Sequence, residues 1–298
     1  MTSASAACFV CGCPESTEVY ETYRRCADCG HEILASAQAQ GFIVNEPLVE
    51  RDVRRTNGLD RFKRRLLLRF SAAQHHGLLV DIGSASGRFL LQNGRRYARA
   101  IGIEVTPEAV KFSREALALD VVEGIADVPK GVEIATAWHS LEHVPQAQLL
   151  ALLGGLAERL VDGGRIIVSV PNANSRQYRW FGRRYAYFDV PNHLHQFTSQ
   201  SLERLLRRFG LHRIAAVDST PYNSFGYAQG LLNVITGTHN YLYYRLKRRT
   251  RAPSLLLDLA HLFLLPLVVP LGWALGLLDA RNHETQGVIT ACFEKKTC

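Results

Sequence analysis

From residue 78 onward, short apolar runs of strand character alternate with helical stretches, and this alternation constrains the fold more than any other feature of the chain. The strand-like runs are residues 78–82, 98–104, 119–123, 133–138 and 165–170, separated by helical segments such as 107–119 and 145–160. Such a pattern predicts an α/β domain with a mostly parallel sheet and right-handed crossovers. A further helix at 199–209 leads to a strand at 211–218, and the last strand is 287–294. Between those two strands lies an insertion, 220–284, that holds the most apolar stretch of the chain. The 298 residues fit one large domain plus a small unit, and 47% apolar with 21% charged residues excludes disorder, collagen and coiled coil for the whole chain.

At the first strand stands Leu79-Val80-Asp81-Ile82-Gly83-Ser84-Ala85-Ser86-Gly87. A Gly/Ser turn there lets a ligand approach the backbone, and the N-terminus of the next helix offers free N–H groups. Glu104 ends the second strand, where an acid can accept both ribose hydroxyls. Together they describe a nucleoside site at the carboxyl ends of parallel strands. A dehydrogenase is the rival for such a site, but its G-x-G-x-x-G spacing is absent.

The chain here resembles the class I S-adenosylmethionine-dependent methyltransferases, over residues 78–218 and the last strand. Asp81-x-Gly83-x-x-x-Gly87 matches the first motif of that family, Glu104 its ribose acid, residues 138–144 (WHSLEHV) the segment after strand four, and residues 162–172 its fifth strand. The resemblance implies a Rossmann-like sheet that binds S-adenosylmethionine through Asp81, Gly83, Ser84, Gly87, Glu104 and His139. Ala85 replaces the middle glycine and is accommodated if its φ is negative. Ile125 stands where the family often has an acid for the adenine, so Asp127 is expected to substitute.

Five of the seven cysteines fall within the first 29 residues. Cys8-x-x-Cys11 and Cys26-x-x-Cys29 supply four thiolates from two tight turns, each followed by glycine, which is the donor set of a closed structural zinc site. Cys13 and His31 are alternates for one ligand. Disulfides are disfavoured because no apolar h-region follows Met1, and the expected compartment is the reducing cytoplasm.

Methyl transfer to a hydroxyl or carbon acid needs a group that removes a proton, and histidine is suited to that near neutral pH. The candidates are His193, His195 and His143, with His139 beside the cofactor. Residues 191–198 resemble the E-H-x-x-x-F-[ST] stretch of zinc-ribbon-bearing sugar methyltransferases, in which the histidine is the base; His193 holds that position, preceded here by Asn192. Loop-backbone bonding is the alternative role for His193 and His195. A weak magnesium site at His139, Glu142 and His143, as in quinone O-methyltransferases, is poorly served by so few carboxylates.

The expected organisation is a zinc ribbon at 1–34, a basic connector helix within 35–75, a methyltransferase domain at 76–219 and 285–298, and an apolar helical insertion at 220–284. In the connector, Leu59, Phe62, Leu66 and Phe70 recur at helical spacing among eight Lys/Arg, part of a net charge of +8. Residues 255–278 are long enough to span a bilayer, but both ends of the insertion rejoin one sheet, so a single crossing is excluded. An interfacial, re-entrant or protein-buried hairpin broken near Pro266 and Pro270 is expected instead, flanked by Arg245, Lys247, Arg248, Arg249 and Arg251. The partners expected are a small-molecule or lipid-linked acceptor, peripheral contact with the inner face of the membrane, or a second copy of the chain in a homodimer. An RNA acceptor is the second reading, weakened by the absence of N-P-P-Y after the fifth strand; a non-catalytic cofactor- or partner-binding protein is the third.

Overall fold

The computed structural model describes residues 7–35, 48–71, 77–246 and 254–296. A short antiparallel meander comes first: β1 (Ser16–Val19), β2 (Tyr23–Cys26) and β3 (Glu32–Leu34). Two helices follow, α1 (Glu50–Arg54) and α2 (Gly58–Phe70). The α/β region then runs β4 (Leu78–Ile82), α3 (Arg88–Asn93), β5 (Arg99–Ile103), α4 (Pro107–Glu115), β6 (Asp120–Val122), β7 (Val132–Trp138), α5 (Gln146–Arg159), β8 (Leu160–Pro171) and α6 (Arg176–Phe181). It continues through β9 (His195–Gln196), α7 (Ser199–Arg207), β10 (Leu211–Val217), α8 (Thr220–Thr236), α9 (Tyr241–Leu246), α10 (Leu255–Asp279) and β11 (Val288–Lys295).

The large sheet has the order β10-β11-β8-β7-β4-β5-β6, with β11 as its one reversed strand. Every residue of β4 is buried, and its side chains alternate between two cores. Val80 and Ile82 join Leu149, Leu153 and Leu156 of α5 and Leu202, Leu205 and Leu206 of α7 on one face. Leu79 joins Leu66, Leu67 and Phe70 of α2 with Phe89 and Leu90 of α3 on the other. Burying each such side chain contributes roughly 1.5–3 kcal/mol, so the period-two pattern fixes which helices lie on which face. The connector helix is anchored by a capping box: Asp60 N donates to Asn57 Oδ1 and Asn57 N to Asp60 Oδ2, both at 2.9 Å, while Arg88 of α3 reaches Asp60 at 3.3 Å.

The cysteine-bearing unit is not free of the rest. Strand β3 pairs antiparallel with β9, Glu32 opposite Gln196 and Ile33 opposite His195, so the loop after β8 supplies the fourth strand of the small sheet. Leu34 N donates to Leu194 O, Tyr23 OH to His193 O and Thr198 Oγ1 to Cys29 O. Glu32 is fully buried between Arg25 and the Tyr178 hydroxyl at 2.8 Å, a charge held inside by two donors.

The apolar insertion departs from expectation in one respect. Helix α10 runs unbroken through Pro266 and Pro270, and the hairpin is formed by α8 against α10. Both prolines lie on the exposed side of the helix, four residues apart, so their rings stay clear of the packed face. That packed face is His261, Val268, Gly272, Gly276 and Asp279. A Cβ on Gly272 would stand 2.8 Å from both Ser224 O and Ala228 N, and one on Gly276 would collide with Ser224 Oγ, so small residues let the two backbones touch. Asp279 then ties the end of α10 to Arg176 and to the Tyr227 hydroxyl, each at 2.7 Å. Of the flanking cations only Arg245 belongs to the described residues, paired with Asp258 at 3.0 Å; Lys247, Arg248, Arg249 and Arg251 lie outside them.

Candidate active site

Strand β4 pairs with β5 on one side and β7 on the other, so the chain connections diverge beyond its carboxyl end and open a crevice there. Three loops line it. The turn after β4 holds Gly83 at φ +72 against Ser140, where a Cβ would lie 2.5 Å from Ser140 Cβ. Gly83 N and Ser84 N donate to Ile103 O at 2.8 and 3.0 Å. Ala85 has φ +47, so the expectation of a negative φ is corrected: the alanine occupies the left-handed region that the family's glycine serves, and Ala85 N donates to Glu104 Oε2 at 2.8 Å. Gly87, at φ +72, opens α3 and rests its bare Cα on Leu119 and Ser113 rather than on the crevice.

Glu104 is 6% exposed, and its carboxylate accepts three backbone N–H groups, from Ala85, Val105 at 2.9 Å and Thr106 at 2.8 Å. About four lone-pair sites exist on a carboxylate, so the ribose contact expected of Glu104 shares an oxygen with the loop it organises. Asp81 is buried within β4 and accepts from Thr136 Oγ1 at 2.6 Å; burial pushes its carboxyl up to about 7. Its part is to stiffen the strand beneath the turn. Asp127 sits exposed on a one-turn helix, and Ile125 beside it packs against Gly155 of α5.

Around the crevice, Ser84 Oγ, Thr106 Oγ1, Trp138 Nε1, His139 Nε2, Ser140 Oγ and Tyr222 OH are buried without a hydrogen bond among the described residues. Buried polar atoms are nearly always paired, so a row of orphans at the ends of β4, β5 and β7 fits a polar ligand such as a nucleoside with an amino-acid tail. Sequence reading missed several wall residues. Lys63 of α2 stands 5.3 Å over the Trp138 ring, and Phe62 meets Tyr222 at 5.8 Å. His139, at φ +54, stacks on Tyr187 at 5.5 Å and meets Tyr222 of α8 at 4.8 Å. The apolar insertion therefore borders the crevice through its first turn. Tyrosines 187 and 222 carry no sequence spacing that announces this; only packing places them.

The three candidate bases part company. His195 Nε2 donates to Val144 O at 3.0 Å, which leaves Nδ1 to accept from His31 Nε2 at 3.2 Å. Both ring nitrogens are thus engaged, and burial pulls the ring down to about 4. This corrects its place among the bases: His195 is a rivet between β9 and the cysteine-bearing unit. His143 and His193 instead face each other at 4.6 Å beside Glu142. His143 Nδ1 donates to Asn192 O at 2.9 Å, whereas Nδ1 of His193 is buried without a hydrogen bond among the described residues. Burial, with His143 next to it, lowers His193 to about 4, so its ring is neutral near pH 7. Burial opposes ionisation of Glu142, but His139 at 3.3 Å outweighs it and holds the carboxyl below its ordinary range.

At the other end of the small sheet, the sulfurs of Cys8, Cys11, Cys26 and Cys29 lie within 4.8 Å of one another, with 3.8 Å between Cys8 and Cys29 and 3.5 Å between Cys11 and Cys26. Sulfurs about 2.3 Å from one tetrahedral ion stand ~3.8 Å apart, so the four fit a zinc ion. The alternates are engaged elsewhere, Cys13 with Glu15 O and His31 with His195.

Replacing Glu104 by Ala should both weaken S-adenosylmethionine binding and destabilise the ligand-free protein by ~1–3 kcal/mol, because three backbone donors lose their acceptor. Calorimetric titration and urea melts read the two effects separately; an unchanged melt would refute the loop-organising role.

A family model described as a methyltransferase domain matches residues 54–216. Curated proteins yielded no match. Among solved structures, the chain is similar to the cyclopropane synthase MmaA2 from Mycobacterium tuberculosis, with TM-score 0.51 and 12% identity over 78% of this chain and 82% of that one. It is also similar to the [4+2]-cyclase SpnF, at TM-score 0.50 and 18% identity over 86% and 88% of the two chains. A third similar structure is Haemonchus contortus phosphoethanolamine N-methyltransferase 2 with phosphomonomethylethanolamine and S-adenosylhomocysteine, at TM-score 0.50 and 13% identity over 80% of this chain and 53% of that one. Identities this low speak to the fold, whereas the family model spans more than half of the chain and covers the turn, the ribose acid and the fifth strand alike. On that ground the chain belongs to the methyltransferase-domain family, the class I S-adenosylmethionine-dependent methyltransferases.

Proposed function

We propose that this methyltransferase acts on a small, hydrophobic or lipid-linked acceptor, such as a glycan, polyketide or quinone-like molecule, and methylates an oxygen. The observation that carries the reading is the position of the Glu142, His143 and His193 cluster, at the cofactor crevice and close to a long apolar hairpin. S-adenosylmethionine, when bound, supplies an electrophilic methyl group. Asp81 and Gly83 shape the turn for it, Glu104 holds the ribose side, and Ser84, His139 and Asp127 offer polar atoms to the rest. Bound S-adenosylmethionine would give up that methyl and leave as the neutral thioether, and the part of this chain would be to take the acceptor proton on the cluster, with His193 assigned to that task. His193→Ala should then lower turnover by ~10² to 10⁴ with cofactor affinity retained. Single-turnover assays with a hydrophobic phenol set would read it, and a loss below tenfold would assign the ring to loop support.

The ribbon is read as a structural zinc unit that holds the acceptor loop. Elemental analysis is expected to give one zinc per chain, and Cys26→Ser to melt early while binding cofactor nearly as tightly as the native protein. A stably folded chain purified without zinc would overturn this.

Helix α10 supports peripheral attachment to the cytoplasmic face of an anionic membrane. Its 25 residues extend about 37 Å, and only 17% of its most apolar window is buried. Leu256 and Phe263 are 78% and 79% exposed. Continuous apolar surface of this size marks a membrane or a partner, and the cationic run before α10 favours anionic lipid. Flotation with liposomes of phosphatidylcholine alone and with added phosphatidylserine should show salt-sensitive binding to the latter only. A protein that floats with neither, and forms a dimer, would make the face a homodimer interface.

A further inference from the structure

We infer that Glu142, His143 and His193 form a divalent metal site of the kind that takes iron, manganese or zinc, distinct from the cysteine site and open toward the acceptor. The inference rests on the methyl-transfer reading above and deepens it: His193 would hold the ion instead of taking the proton itself, and the acceptor proton would leave to solvent water.

One ligand atom of each residue lies within 4.8 Å of the other two, a spread that small side-chain rotations close to the about 2.0–2.2 Å bonds of such ions. Glu142 is fully buried, and neither of its carboxylate oxygens receives a hydrogen bond among the described residues. A buried carboxylate is paired or holds a metal, and here, among the described residues, the one close cationic partner reaches a single oxygen. His139 Nδ1 stands 3.3 Å from one oxygen as an ion-pair partner, which leaves the second oxygen for an ion. His193 is 6% exposed with Nδ1 unpartnered, so a lone pair is buried beside that carboxylate. His143 donates from Nδ1 to Asn192 O, the kind of outer-shell bond found around metal-bound imidazoles.

The scaffold is rigid where this matters. Leu194 N donates to Glu142 O at 2.8 Å, and Tyr23 OH to His193 O at 2.8 Å, so the two loops that carry the ligands are tied to each other and to the small sheet. Two imidazoles and one carboxylate suit borderline divalent ions and suit magnesium badly, which separates this set from the magnesium site weighed on His139, Glu142 and His143. Three protein ligands leave positions for an acceptor oxygen, whose proton the ion would make easier to lose.

Manganese(II) titration of the full chain with its cysteine site zinc-loaded, followed by electron paramagnetic resonance, tests the site. One bound manganese is expected, with affinity reduced more than about tenfold in Glu142→Gln and in His143→Gln, a loss that even outer-shell changes reach. Absence of binding by manganese, cobalt and a second zinc would overturn the inference, as would manganese bound equally by both variants. If methyl transfer persists in metal-free protein and still requires His193, the metal inference falls and the proton-acceptor reading stands. If no S-adenosylmethionine binds even to metal-loaded protein, the methyl-transfer reading itself falls.

Discussion

A two-residue antiparallel pairing governs how this molecule is put together. Glu32 and Ile33 of the cysteine-bearing meander lie opposite Gln196 and His195, and from that register follow the Tyr23 bond to His193, the His31 bond to His195 and the burial of Glu32 under Tyr178. Backbone groups in the interior must be paired, and residues 195–196 find their partner strand in β3. The histidine loop is thereby tied to the small sheet that carries the cysteine cluster.

The chemistry draws on what burial does to charge. Inside the protein the imidazoles of His193 and His195 are driven neutral, while the ion pair with His139 holds the Glu142 carboxyl below its ordinary range against its burial. One neutral ring is consumed by structure and the other is left with an open lone pair. The difference lies in neighbours two residues apart on the same loop: an outward step meets His31, and an inward step meets Glu142 and His143.

The apolar hairpin shows a second consequence of packing. Glycines at 272 and 276 bring α10 onto the backbone of α8, which spends the small residues on the inside and leaves leucines and phenylalanine outside. Because Tyr222 lies in the first turn of α8, beside His139, the helix on which the apolar α10 packs also borders the crevice. The exposed apolar face and the crevice are thereby adjoining parts of one helical hairpin.

Much of this was legible in the residues themselves. The strand runs from Leu78 to Val170, the turn at Gly83, the acid at Glu104 and the two cysteine pairs are local signals, since backbone period, φ preference and ligand spacing act over a few residues. The course of α10 through Pro266 and Pro270 was not legible, because whether a proline breaks a helix depends on which face it occupies. Neither was the left-handed Ala85, the engagement of His195 or the arrival of Phe62, Lys63, Tyr187 and Tyr222 at the crevice. Sequence alone determined the kind of sheet, the glycine turn after β4 and the convergence of four cysteines in the first 29 residues. Tertiary structure decided which histidine is free, because a hydrogen-bond partner 164 residues away in the chain is invisible until the two strands meet.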